Sequence, residues 1–508
     1  MTLAAYDWIE YHTVTTPDKR AMLDLASGRD YSYADMHERV ARVAGALRAM
    51  DVKAGDRVAF LCLNTTDVME LIFGCWRIGA ICLALNFRLT PPELAFILND
   101  SETDVVLVDT PFAQLAEATR PHVKVREWLI TDGMGGHSEY ETALAAATPI
   151  YDYHPQSLED QCLLMYSSGT TGSPKGVIIT HAMLDFTSSS AVRLGASSPD
   201  DVSLNNMPLF HIGGLNVTAL PSIWFGGTCV IMRMFDAEAT IKAISNPDLG
   251  VTTMFCVPAA YNAMKAHPLM ETADFSRIKL ALCGAETVPE ALINWWLDRG
   301  ITIQEGYGMT ETAAAGAMLQ KADIPHMIGS AGRALMHSRI KIVDGDGNEV
   351  PRDTPGEIWF KGLSVTPGYW RNPKANAESF TDGWFHSGDI GRMDKDGYIY
   401  IEDRVKDMYI SGGENVYPAE VEGVLYKHEL IAEVAVIGLP DEKWGEAVTA
   451  VVALVEGAAL DLEQLRSFSE PHLARYKLPI KMHTVSELPR NPAGKVLKFV
   501  LKEELANK

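Results

Sequence analysis

The 508-residue sequence is short of basic charge: 44 lysines and arginines stand against 66 aspartates and glutamates, for a formal net charge of −22. Affinity for a phosphate backbone rests on clustered Lys and Arg, so this balance argues against a nucleic-acid binder. No basic stripe, zinc-finger spacing or helix-turn-helix signature offsets it. Cysteine is scarce as well. The seven residues (Cys62, Cys75, Cys82, Cys162, Cys229, Cys256, Cys283) are scattered, mostly inside apolar runs such as LIFGCW and TTMFCVP, with no CxxC pair and no His-rich partner. They read as buried small hydrophobes in a reducing compartment, not as metal ligands. Long apolar runs are missing too. The longest, Leu71 to Phe87, is broken by Arg77 and contains Gly74 and Gly79, so it predicts a buried helix and then a buried strand, and no membrane span. The start, MTLAAYDWIEYHTVTTPDKR, lacks the basic residues and apolar core of a secretory signal, so a cytoplasmic protein is expected.

What is present is a large folded core, with 47% hydrophobic and 22% charged residues spread along the whole length. A chain this long predicts about two to four domains. From about residue 57, β-rich runs alternate with helical ones: RVAFLCLN, then TDVMELIFGCWRIGA, ICLALNF, a helix opened by Thr90-Pro91, then VVLVD, WLIT and LLMYSS. Such alternation predicts an α/β fold with parallel-rich sheets covered by helices. Near residue 335 the texture changes. Ile340 to Tyr400 is cut into short segments by DGDGNE, TPGE, TDGW and KDGY, predicting antiparallel strands in a small barrel or distorted sheet. Past Arg404 a mixed pattern returns: a helix over Pro418–Tyr426, strands at EVAVIGL and AVTAVVALV, and a helix near Leu462–Phe468. The expected division is a large domain over 1–404, with a β-rich subdomain over about 335–404, and a small α+β domain over 405–508.

The sharpest local feature is Tyr166-Ser167-Ser168-Gly169-Thr170-Thr171-Gly172-Ser173-Pro174-Lys175-Gly176, set between the apolar LLM and the strand-like VIIT. Glycines and hydroxyls in a loop leaving a strand let N–H and O–H groups converge on an oxyanion, and a lysine adds positive charge. The spacing is not that of a Walker P-loop. A mobile Gly/Ser linker would not be bracketed by two hydrophobic strands. A serine-lysine amidase would need a catalytic lysine well upstream and a different serine spacing.

The loop resembles the phosphate-binding signature of the adenylate-forming enzymes: acyl-CoA synthetases, beetle luciferases and peptide-synthetase adenylation domains. The resemblance runs in order from about Thr16 to Lys498. It implies that Ser167, Ser168, Gly169, Thr170, Thr171, Gly172 and Lys175 cradle the phosphates of ATP. In Glu305-Gly306-Tyr307-Gly308-Met309-Thr310-Glu311-Thr312 it implies that Tyr307 stacks on adenine, Thr310 touches the α-phosphate and Glu311 holds Mg²⁺. A flat aromatic suits a purine face, and a hard dication wants carboxylate oxygen beside phosphate. Gly284, Ala285 and Glu286, closing the strand KLALCG, resemble the segment lining the adenine pocket, and Asp389 in GWFHSGD resembles the ribose clamp. The familiar motif has threonine where this chain has Ser387.

By the same resemblance Arg404 contacts ribose or phosphates, Lys406 is the hinge, and Gly413 lines a pantetheine tunnel. Lys495 in PRNPAGK bridges the substrate carboxylate and the α-phosphate. His211 in MPLFHIGG gates the acyl pocket, which His211, Gly213, Gly308 and Ala313 would line. Arg88, Trp444 and Tyr476 resemble CoA contacts. The implied catalytic set is Lys495, Thr310, Glu311 and His211, with Mg²⁺ as cofactor and ATP and CoA as co-substrates.

The implied activity is an ATP-dependent acid–CoA ligase that forms an acyl-adenylate and then the thioester, with the small domain swinging about Lys406 between steps. The small residues Gly213, Gly214, Ala313, Ala314, Ala315 and Gly316 predict room for a bulky or extended apolar acid, either fatty or aromatic. The chain ends thirteen residues beyond Lys495, which leaves no space for a fused carrier domain and favours free CoA. The alternatives are loading of a separate acyl carrier protein and a non-catalytic nucleotide-binding regulator, which should lack Lys495 or Glu311. A luciferase-like oxidation has no sequence feature of its own. A homodimer is compatible with the sequence.

Overall fold

The computed structural model describes residues 3–167, 174–195, 197–286, 288–404, 407, 409–411, 414–441, 445–490 and 496–506. A six-stranded sheet runs, in spatial order, Glu127–Thr131, Thr103–Asp109, Arg57–Leu61, Ile81–Ala84, Gln161–Ser167 and Lys175–Thr180. The first five strands are parallel and the last is antiparallel to its neighbour. Ile81–Ala84 is buried throughout and Arg57–Leu61 nearly so, as a sheet covered on both faces requires. The strand foreseen over ICLALNF stops at Ala84, because the Asn86 side chain accepts the Arg88 N–H and turns the chain.

The helix Thr66–Arg77 begins where the Thr65 hydroxyl caps the Val68 N–H. Every residue on it is buried, Asp67, Glu70 and Arg77 included. Arg77, which interrupts the apolar run in sequence, meets Asp7 at 2.6 Å, and Glu70 meets Arg39 at 2.7 Å. Charges so deep are tolerated only when paired.

A nine-stranded sheet places Ile303–Tyr307, Leu280–Gly284, Thr253–Cys256, Val202–Asn205, Thr228–Ile231 and Arg20–Asp24 side by side and parallel. Short antiparallel strands finish both edges. The turn-rich region forms an open five-stranded antiparallel sheet of Ser338–Val343, Gly356–Gly362, Phe380–Thr381, Trp384–Met393 and Ile399–Arg404. The final part is a five-stranded sheet, in which Ile431–Asp441 pairs antiparallel with Gly445–Leu454 and Lys481–Val485 adds in parallel. Helices Pro418–Leu425, Leu462–Ser469 and Lys498–Ala506 accompany it. Its two apolar clusters are built from residues 409 onward, whereas the other clusters end at Ile401. All seven cysteines are free and buried. Among the described residues, no helix is long and apolar enough to cross a membrane.

Candidate active site

The hairpin Gln161–Ser167 to Lys175–Thr180 pairs Ser167 with Lys175 at its open end. Ser168, Gly169, Thr170, Thr171 and Gly172, the body of the expected phosphate loop, lie outside the described residues. Segment 366–370 runs alongside the second strand of this hairpin. Trp370 N–H donates to Gly176 O at 2.7 Å, Ile178 N–H to Gly368 O at 3.1 Å, and the Thr366 hydroxyl to Ile178 O at 2.6 Å. Thr366 N–H also donates to Glu311 O at 2.8 Å, fastening the Thr310–Thr312 turn to the same segment.

These backbone ties converge three side chains. Lys175 Nζ stands 4.9 Å over the Tyr369 ring, and the Tyr369 hydroxyl donates to Glu311 Oε1 at 3.0 Å. Burial and the Glu311 carboxylate push the Tyr369 phenol well above its ordinary range, so it stays a donor. Tyr369 carried no signal in the sequence: a tyrosine in VTPGYW is an ordinary residue until the fold lays it beside Glu311.

Gly284 and Gly306 are register partners on adjacent strands. A Cβ on Gly284 would lie 2.5 Å from Gly306 O, so glycine there lets the segment with Ala285 and Glu286 press against the Gly306-Tyr307 strand. Ala285 has φ +73°, a left-handed conformation that turns the chain out of the strand. The Tyr307 hydroxyl donates to Asp389 Oδ2 at 2.7 Å, and its ring lies 5.6 Å from Phe360. Asp389 is 5% exposed and pairs through its strand with the backbone of Arg404. The anchored hydroxyl fixes the orientation of the ring relative to the Asp389 carboxylate.

Glu305, assigned by resemblance to the ATP site, carries a buried carboxyl. Its carboxyl accepts from Val288 N–H, while Oε2 is buried with no partner among the described residues. Burial pushes it up to about 8, so at neutral pH it is largely a neutral acid.

His211 Nδ1 accepts the Gly213 N–H at 3.1 Å, which leaves the proton of the neutral ring on Nε2. Burial and the neighbouring Arg88 charge lower its pKa. The Arg88 guanidinium lies 5.5 Å from the Phe87 ring centre and 6.0 Å from that of Phe210, so the fold brings Arg88 and His211 together around Phe210. Asn216, also missed in the sequence, donates to Ala313 O at 2.7 Å and holds the turn where Ala313 and Ala314 have φ +51° and +90°. Its signal was only its position, five residues past His211, on a π-helical turn over Leu215–Ala219.

Close contacts account for some of the small residues expected at the pocket. A Cβ on Gly214 would sit 2.1 Å from Pro208 O, one on Gly308 2.4 Å from Ala314 O, and one on Gly316 2.3 Å from the Phe360 ring. Ala313 is fully buried and Ala315 nearly so. Gly213 differs, since a Cβ there would stand 3.2 Å from the edge of the Phe255 ring.

The remaining expected residues are not gathered here. Tyr476 packs on the small-part core with Lys477 Nζ 5.5 Å from its ring, and its described contacts are local. Lys406, Gly413, Trp444 and Lys495 lie outside the described residues. Among the described residues no group of three His, Cys, Asp or Glu side chains could cage a metal.

Compared with known proteins, the chain matches the AMP-binding enzyme family over residues 9–370 and the AMP-binding enzyme C-terminal domain over 420–495. It is 40% identical over 471 residues to a feruloyl-CoA synthase of Amycolatopsis sp, covering 93% of each chain. It is 38% identical over 504 residues to an indoleacetate–CoA ligase of Aromatoleum aromaticum, covering 99% of this chain and 98% of that one. The solved structure of ATP-bound MatB from Rhodopseudomonas palustris superposes with a TM-score of 0.91 at 31% identity, covering 99% of each chain.

Proposed function

The chain belongs to the AMP-binding enzyme family, in its acyl-CoA ligase branch, and on that footing we propose that its acid substrate is hydrophobic and carries an aromatic ring. The enzyme is an ATP-dependent acid–thiol ligase. A carboxylate oxygen attacks the α-phosphorus of ATP and pyrophosphate leaves; the thiol of CoA then attacks the acyl carbonyl and AMP leaves.

The protein's share of this chemistry is placement and charge compensation. Lys175 and the segment around Thr310 face the phosphates in this reading, Tyr307 stacks on adenine, and Asp389 accepts from the ribose hydroxyls. Asp389 spends one oxygen on Tyr307, so ring and clamp are set together. Lys495 is assigned to the carboxylate and α-phosphate by resemblance, as is the swing of the 405–508 domain about Lys406. Gly413, Trp444, Arg88 and Tyr476 are assigned to CoA on the same basis. His211, kept neutral by its lowered pKa, is assigned to the gate of the acyl pocket by resemblance.

Mg²⁺ belongs to this proposal. Glu311 would hold it, and its buried carboxylate, oriented by the Tyr369 hydroxyl, fits a hard cation completed by phosphate oxygens. When bound, such a cation neutralises charge on the phosphates. A cytoplasmic location and a homodimer are further parts of this reading.

The observation that carries the assignment is the convergence of Lys175, Tyr369 and Glu311 beside the Tyr307–Asp389 pair. The aromatic preference is supported by the acids named in the two relatives. A fatty acid is the second reading, and a carrier-protein thiol the alternative acceptor. A panel of aryl, arylacetic, cinnamic-type and fatty acids, assayed for ATP–pyrophosphate exchange and for acyl-CoA with CoA present, tests all of this. Aryl-bearing acids should lead both assays. ATP cleavage to ADP, or exchange only with fatty acids, would overturn the proposal in its first or second part.

A further inference from the structure

Arg490 stands at the neck of the segment that carries Lys495, since its backbone pairs with Val496 in an isolated antiparallel bridge around residues 491–495. Its guanidinium reaches two carboxylates on different parts of the molecule. Nη2 lies 2.6 Å from Glu433 Oε1, on the strand Ile431–Asp441 of the small sheet. Nη1 lies 4.0 Å from Glu286 Oε2, two residues past the end of the strand Leu280–Gly284 in the nine-stranded sheet. Tyr426, on the small-part helix just past Leu425, lies in the field of both Glu286 and Glu433.

Two carboxylates facing one guanidinium make a bridge whose halves differ in geometry. The 2.6 Å half is internal to the small part and fixes the guanidinium on the strand Ile431–Asp441. The 4.0 Å half spans the two parts and exists only while Arg490 stands beside Glu286. Without the cation, Glu286 and Glu433 would repel each other. The Arg490 and Glu286 side chains are 29% and 34% exposed, so water and salt screen the spanning contact. A contact that must part in every catalytic cycle has to be weak, because a strong one would trap a single state.

We propose that Arg490 is a latch: anchored on Glu433, it engages Glu286 to hold the small domain in the posture for acyl-adenylate formation, and it releases Glu286 before the thioester step. This inference rests on the ligase reading above. Arg490 is a positioning residue here, acting through the placement of the segment that carries Lys495.

Full-length E286C/R490C tests it, because every native cysteine is buried and a short, reducible bifunctional thiol reagent can select the introduced pair. Measured against the same variant before cross-linking, the cross-linked enzyme should show undiminished ATP–pyrophosphate exchange with the best acid of the panel, lose steady-state acyl-CoA formation by at least about tenfold, and recover it on reduction. In parallel, R490Q and E286Q should each slow exchange by about two- to fivefold, with the double variant no slower than the worse single one. R490Q should form thioester from supplied acyl-adenylate no more slowly than the parent. Cross-linked enzyme that still turns over acyl-CoA at the uncross-linked rate, absence of any cross-link, or multiplying single effects each overturn the latch. A parent enzyme that exchanges pyrophosphate with no acid overturns the ligase reading, and the latch with it.

Discussion

The hydroxyl of Tyr369 donates a 3.0 Å hydrogen bond to Glu311 Oε1 and so fixes one oxygen of the carboxylate assigned to the metal. The two residues are 58 positions apart and meet because Thr366 N–H holds Glu311 O. Y369F keeps the ring under Lys175 and removes this donor. A hydrogen bond to a charged group contributes about 1.5–3 kcal/mol. Exchange at limiting MgATP should therefore fall about tenfold or more, and the Mg²⁺ titration midpoint should move to higher concentration. An unchanged midpoint would mean that Glu311 needs no such help.

The Tyr307–Asp389 pair makes a separate prediction. If Asp389 accepts from ribose, the parent enzyme should prefer ATP to 2′,3′-dideoxy-ATP by about ten- to a hundredfold, and D389A should lose most of that preference. Y307F should retain the preference, since the ring and the carboxylate both remain. Discrimination surviving in D389A would place the ribose elsewhere.

Glu305 should give stability a pH slope. Its folded pKa, about 8, lies above the ordinary carboxylate value of 4.5. The native state thus holds the proton more tightly than the unfolded chain does. The stabilisation is complete below about 4.5 and is lost as pH rises through about 8. The full difference is on the order of 3–5 kcal/mol. E305Q keeps the shape without the titration, so its unfolding midpoint should fall less between pH 5.5 and 8.5, a window of about three units, than that of the parent. Parallel pH curves would disprove a neutral buried acid.

Gly214 closes the turn that carries His211. Alanine there would press a methyl to 2.1 Å from Pro208 O, a backbone atom with little freedom to move. G214A should cost about 1–3 kcal/mol of stability and lower the thioester step more than exchange, because His211 moves with the turn. G423A, at an open helical position where a Cβ meets nothing, is the control: it should leave both rates unchanged and should not lower stability.

The chain's own order of residues determined a good deal. Alternating apolar runs specified a parallel-rich α/β core, since such strands must bury both faces, and the caps at Thr65 and Thr90 marked where helices begin. The motifs around Lys175, Tyr307, Glu311 and Asp389 were legible because phosphate, purine and diol chemistry each demand particular side chains at short spacing. What the order could not disclose was any relation between distant residues. Arg77 looked like an interruption until Asp7 paired with it. Gly214 and Gly316 looked like empty space until a carbonyl and a ring were found against them. Tyr369, Asn216 and the two carboxylates around Arg490 gained their meaning only from contact across the fold. Local chemistry is written in neighbouring residues, whereas burial, crowding and long-range pairing depend on which strands lie side by side, and that is decided by the packing of the whole chain.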